Sequence, residues 1–155
     1  MKIIMNKKNV HNLRNWFTSY VNTFKYDNNE LQKNINIKRE HTERVIEEII
    51  NIGKQLGLND NQLNLAELIA LFHDIGRFEQ YKRYKTFSDH KSEDHAELGI
   101  KILKKYNVLY ILDEEIQNLI LCSIRYHNRA SLPVKKQKYA SFIPDLSVMQ
   151  INWIS

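Results

Sequence analysis

The stretch LNLAELIALFHDIGRF, Leu63–Phe78, decides the fold. Leu63, Ala66, Ile69 or Ala70, and His73 recur in steps of three and four, the spacing of one face of an α-helix. Asn59 or Asp60 can cap this helix, and Gly76 is placed to stop it. Working outward, helical spacing predicts a helix over residues 9–25, carrying Leu13, Trp16, Phe17, Tyr20 and Phe24. The run Asp27-Asn28-Asn29 breaks it before a second helix over residues 37–56, ending near Gly57. Downstream, residues 77–85 read as a short basic and aromatic helix and residues 86–94 as a polar loop. Two further helices follow over residues 95–106 and 114–127, the last capped by Asp113. Residues 128–138 read as a basic loop containing Pro133. No repeat, linker or second domain is visible, so residues 1–155 are expected to form a single domain.

Composition narrows the class. Four Gly and two Pro in 155 residues are too few for the many turns of an all-β protein. No glycine-rich phosphate loop is present, which excludes Rossmann and P-loop chemistry. An all-α protein remains. A chain of this length buries roughly two-thirds of its unfolded surface, so its core needs neither disulfide nor metal. Cys122 is the only cysteine, which excludes a disulfide framework or a multi-cysteine zinc site. With no apolar run long enough for a membrane span and no secretory leader, the expectation is a cytoplasmic protein without membrane association. The net charge of +5 invites a nucleic-acid or polyphosphate partner. It also follows from composition, since Lys, Asn and Ile all have A/T-rich codons and Lys outnumbers Arg 16 to 7.

Four histidines fall on apolar helix stripes. His41 begins His41, Val45, Ile49, Ile52, Leu56. His73 ends the stripe of the opening stretch. His95 begins His95, Leu98 or Gly99, Ile102, Tyr106, and His127 ends Ile116, Ile120, Ser123 or Ile124, His127. Each imidazole is thus expected on the buried face at one end of its helix. A single histidine so placed is ordinarily a core residue bonded to a backbone carbonyl. Four together leave many polar atoms to satisfy. A divalent metal satisfies several at once, because neutral imidazole is a good ligand for transition metals and bundle cores build metal sites from facing helices. Asp74 adds a carboxylate. Adjacent helical residues point about 100° apart, so His73 and Asp74 can grip one metal only at a helix end. His11 reads as solvent-exposed, and His90 is a secondary candidate in its polar loop.

The string LFHDIGRFEQ, with His41 upstream in KREHTERVIEEI and the downstream HAELG and IRYHN, resembles the HD superfamily of metal-dependent phosphohydrolases. The resemblance is strongest over residues 38–128. It implies a single helical domain of about five to seven helices around a buried metal site. By resemblance, His41, His73 and Asp74 are core metal ligands, with Asp74 bridging if two ions bind. His95 and His127 serve a second metal or touch substrate, similar to the HD-GYP branch. The GYP motif is absent, so cleavage of a cyclic dinucleotide does not carry over.

The C-terminus departs from the pattern. The family closes with a late aspartate ligand, often in a string like RDADKLD, whereas this chain ends FIPDLSVMQINWIS with Asp145 as the sole late candidate. Val148–Ile154 can be encoded GTG ATG CAG ATA AAT TGG ATA. Read from the last base of the first codon, this becomes GAT GCA GAT AAA TTG GAT, or Asp-Ala-Asp-Lys-Leu-Asp. Residues 144–155 are therefore expected to be a non-native, frameshifted tail, with activity impaired by loss of the last ligand. Apolar residues left without partners, including Phe142, Ile151, Trp153 and Ile154, would favour a homo-oligomer.

The expected function is hydrolysis of a nucleotide or other phosphoester by metal-activated water, with one or two ions of Fe, Mn, Zn, Co or Ni. Asp74 is the expected catalytic residue, holding the water. Arg77 and Lys91 are candidate contacts to the substrate phosphate, with Arg125 a third; all three also read as solvated surface charges. One competing reading is a nucleotide- or nucleic-acid-binding module built on Lys82-Arg83-Tyr84-Lys85 and Lys135-Lys136-Gln137-Lys138. Another is a structural metal domain without turnover.

Overall fold

The computed structural model describes residues 5–128. Among these, six α-helices are joined by short turns and no strand is present: α1 (Lys7–Val21), α2 (Asn29–Gln55), α3 (Asp60–Phe72), α4 (Gly76–Tyr84), α5 (His95–Lys105) and α6 (Glu114–Tyr126). Two 3-10 helices, Asp89–Lys91 and Val108–Ile111, lie in the connections on either side of α5. The protein is all-α, as its composition requires. No helix among the described residues is long and apolar enough to cross a membrane. Asp145, the 144–155 tail with its apolar residues, and the Lys135–Lys138 run lie outside the described residues.

Asparagine and aspartate side chains set most helix starts. Asn6 accepts from the Asn9 amide, Asn28 from Glu30 and Leu31, and Asp94 from Ala96 and Glu97. Asn59 and Gln62 form a reciprocal capping box that opens α3, a device worth about 1 kcal/mol. Two sequence expectations change here. The Asp27-Asn28-Asn29 run starts α2 rather than ending α1: α1 closes earlier, at Val21 with Asn22 as its C-cap, and Asn28 caps α2, which begins at Asn29 rather than near residue 37. His41 consequently sits mid-helix and not at an end. Gly76 does not stop α3, which closes at Phe72; it is the first residue of α4.

Helix α3 is the centre of the molecule. Leu65, Ala66, Leu68, Ile69, Ala70, Leu71 and Phe72 are all buried, so the helix is apolar around its circumference, as an interior helix must be. It packs on α2, α1 and α6. Helix α1 covers it with aromatics: Phe17 meets Phe72 and Phe78 edge-on, with centroids 6.5 and 6.0 Å away. Helices α4 and α5 make backbone contact. A Cβ on Gly76 would overlap the His95 carbonyl oxygen and lie 2.7 Å from the Gly99 amide nitrogen. This glycine pair sets how closely the first turns of α4 and α5 approach.

Candidate metal centre

The C-termini of α3 and α6, the N-terminus of α5 and the middle of α2 converge on the turn at residues 73–75. His73 is the C-cap of α3 and His127 the C-cap of α6. Both use the same local device: Nδ1 faces the carbonyl three residues back, Ala70 at 2.6 Å and Ile124 at 2.5 Å. A carbonyl only accepts, so Nδ1 carries the proton and Nε2 keeps its lone pair. A helix C-terminus also carries partial negative charge, which favours a cation nearby. His95 opens α5, and its Nδ1 lies 2.8 Å from Asp89 Oδ2 and 3.1 Å from Oδ1. Asp89 is held below its usual carboxylate range. Burial opposes this, but His95, Gln80 and Arg77 more than compensate. Facing an ionised carboxylate, His95 likewise protonates Nδ1 and frees Nε2.

Asp74 sits at the middle, 5% exposed. Its two oxygens serve two groups. Oδ2 lies 3.5 Å from His73 Nε2, 3.6 Å from His41 Nε2 and 3.7 Å from Lys38 Nζ. Oδ1 lies 3.2 Å from His95 Nε2, 3.6 Å from His127 Nε2 and 3.8 Å from Arg77 Nε. His41, His73 and Asp74 thus form one candidate metal group, and Asp74, His95 and His127 another. Burial alone would raise the Asp74 carboxyl, but the imidazoles of His73, His127 and His95 and the Lys38 ammonium hold it well below its usual range. Burial pushes His73 down to about 3 and lowers His41 as well. Both are therefore neutral near pH 7, the form that binds metal.

The donor set fits a divalent metal. His95 Nε2 and His127 Nε2 are 3.1 Å apart, and the tautomers above give both of them lone pairs. Two acceptors at hydrogen-bond distance beside a carboxylate repel unless a cation lies among them. Four imidazole nitrogens and one carboxylate are the mixed donor set of divalent first-row transition metals.

The structure therefore brings His41, His73, Asp74, His95 and His127 to one point. Arg77 borders it, but Arg77 Nη1 is committed to Asp89 Oδ1 at 2.9 Å, the Phe87 carbonyl at 2.6 Å and Gln80 Oε1 at 3.0 Å. Its side chain ties the 86–94 connection to α4. Lys91 and His90 are exposed on the 3-10 helix of that connection and form none of the ion pairs with Asp74 among the described residues. Arg125 pairs with Glu97 at 2.8 Å. His11 is exposed on α1. In the basic segment after the centre, Arg83 pairs with Glu79 and Glu93, while the Lys82 and Lys85 ammonium groups lie over the Phe24 and Tyr26 rings. Those cations are engaged locally.

Sequence reasoning missed Asp89 and Lys38. The signal for Lys38 was present, since Lys38 and His41 are three apart on one helix and share a face. Asp89 offered no comparable signal, because its partners reach it only through the fold of the 86–94 connection. Gln80, fully buried, donates to Asp89 Oδ1 and Ser92 Oγ, both at 2.9 Å, and to the Glu93 carbonyl at 3.1 Å. Asp89 is thus fixed behind His95, in the position of a carboxylate that orients a candidate metal-ligating imidazole. Asp89→Asn is expected to weaken metal retention by about 10- to 100-fold, measured by competition with a chelator, while the helical content stays unchanged.

A helical bundle that gathers four imidazoles around one buried carboxylate has the makings of a metal-binding hydrolase domain. The family model of the HD domain matches residues 39–149, a span that contains all five residues of the cluster. The chain belongs to the HD domain family, generally one of metal-dependent hydrolases that bind divalent metals. No curated protein and no solved structure matches the chain.

Proposed function

We propose that the protein is a metal-dependent phosphohydrolase acting on a nucleotide or other small phosphoester. The observation that carries this reading is the division of Asp74 between two imidazole pairs, His41 with His73 on Oδ2 and His95 with His127 on Oδ1. That arrangement suits two ions sharing one carboxylate. When bound, the metal supplies Lewis acidity that brings water to its reactive form near neutral pH and draws charge from phosphoryl oxygens. The chain's own residues do the rest. Asp74 accepts a hydrogen bond from the attacking water and orients it. His73 and His127, locked by their backbone carbonyls, and His95, locked by Asp89, keep their Nε2 atoms aimed at the site without reorganisation.

Of the two basic segments that would favour a nucleic-acid module, the described one, Lys82-Arg83-Tyr84-Lys85, has its cations engaged in local contacts, which supports the catalytic reading. The test is a panel of phosphomonoesters and phosphodiesters run with each of Fe, Mn, Zn, Co and Ni. Turnover that stops on chelation and returns with metal is the expected result. Absence of turnover on every ester, with salt-sensitive nucleic-acid binding that survives chelation, would replace this reading with the binding module.

A further inference from the structure

We propose that Lys38 is the residue that binds the phosphoryl group at this centre, an assignment that rests on the phosphohydrolase reading above. Four cations are candidates for that role, Arg77, Lys91, Arg125 and Lys38, and the structure separates them; Arg125 pairs with Glu97 at 2.8 Å. Arg77 spends Nη1 on Asp89, Gln80 and the Phe87 carbonyl, which fixes its side chain in the wall of the site, and its buried Nε stays 3.8 Å from Asp74 Oδ1 without a hydrogen bond. Lys91 is exposed outside the cluster. Lys38 projects from the same face of α2 as His41, one turn earlier, and both reach the same oxygen of Asp74.

Its position suits an incoming anion. The 3.7 Å to Asp74 Oδ2 is an ion pair but lies beyond hydrogen-bond length, and Lys38 Nζ makes no shorter hydrogen bond among the described residues. Its three N–H donors are therefore available to an oxygen arriving beside the carboxylate. The ammonium is held in place from the other side by the Phe87 ring, 5.0 Å from Nζ to the centroid. That ring is itself stacked on Tyr81 at 4.8 Å, and Tyr81 is anchored by the Asn34 amide at 2.9 Å. Exposure points the same way. The side chains of Lys38, His41 and Arg77 are 20, 16 and 17% exposed, against 1% for His73 and 2% for His95. Among the described residues the centre opens to solvent at the α2 side, where Lys38 stands. A phosphoryl group entering there meets the ammonium as it reaches the imidazoles, so its charge is met by a cation positioned in advance.

The test uses the full chain loaded with Mn and inorganic phosphate as the probe, titrated calorimetrically. A charge-assisted hydrogen bond is worth about a 10- to 100-fold change in affinity. Lys38→Met is expected to weaken phosphate binding by that factor with metal content and melting temperature unchanged, and Lys38→Arg to restore most of it. On an ester that the wild type turns over, Lys38→Met raises KM more than it lowers kcat. Lys54→Gln, an exposed change at the far end of α2, serves as the control and leaves binding unaltered. Phosphate affinity equal to wild type in Lys38→Met overturns the assignment and leaves the hydrolase reading standing. Loss of metal in Lys38→Met also overturns it, because Lys38 then supports the ligand set instead. If the metal-loaded wild type binds no phosphate, both the assignment and the phosphohydrolase reading fall.

Discussion

Asp74→Asn is expected to empty the metal centre and to lower phosphoester turnover by more than about 100-fold, beyond the loss typical of a partner that merely orients a ligand. The substitution keeps the side chain's shape and removes its charge. Both candidate metal groups lose their shared anion at once, because Oδ1 and Oδ2 each serve a different pair of imidazoles. An amide nitrogen pointing at two Nε2 lone pairs can donate hydrogen bonds to them, so the metal-free variant folds with little loss. The measurement is metal content by mass spectrometry alongside turnover and melting temperature. Full metal content in the variant, or a fall in melting temperature that accounts for the lost activity, would remove Asp74 from the centre.

Gly76→Val is expected to cost about 3 kcal/mol or more of stability, at the upper end of overpacking penalties, and to loosen the metal centre with it. The added Cβ meets backbone on both sides, the His95 carbonyl and the Gly99 amide, so no side-chain rotation relieves the clash. Helix α4 must move away from α5, carrying Asp74 away from His95. Gly53→Ala is the informative comparison. Its Cβ would meet Leu63 Cδ2 at 2.7 Å and Leu58 Cδ1 at 3.0 Å, the flexible ends of side chains that can turn aside, so a smaller cost is expected. Equal denaturant midpoints for the two variants would show that the α4–α5 contact is not the tight one.

Much of the centre was legible in the chain. Apolar steps of three and four placed His73, His95 and His127 on buried faces at helix ends, and those ends supply three of the four imidazoles. The need for a helix end at His73-Asp74 was readable from the angle between adjacent helical residues, and the turn at residues 73–75 meets it. The stopping residue was misread. A glycine after a helix suggests a C-cap, but the same absence of a side chain also permits two helices to touch, and only the position of α5 shows which use applies. The start of α2 was misread in a similar way, because an asparagine run that reads as a helix breaker can instead cap the helix that follows it, as Asn28 does.

By itself the sequence determined an all-α protein, the faces its histidines occupy and the pairing of His73 with Asp74. These follow from periodicity, which is local and acts along one helix at a time. The tertiary structure alone decided that Asp74 is shared between two imidazole pairs, that Asp89 backs His95, that Arg77 ties down the 86–94 connection through Nη1, and that Lys38 stands at the open side. Each of those depends on where one helix end meets another, and such meetings are set by packing across the whole core, which no spacing within a single segment records.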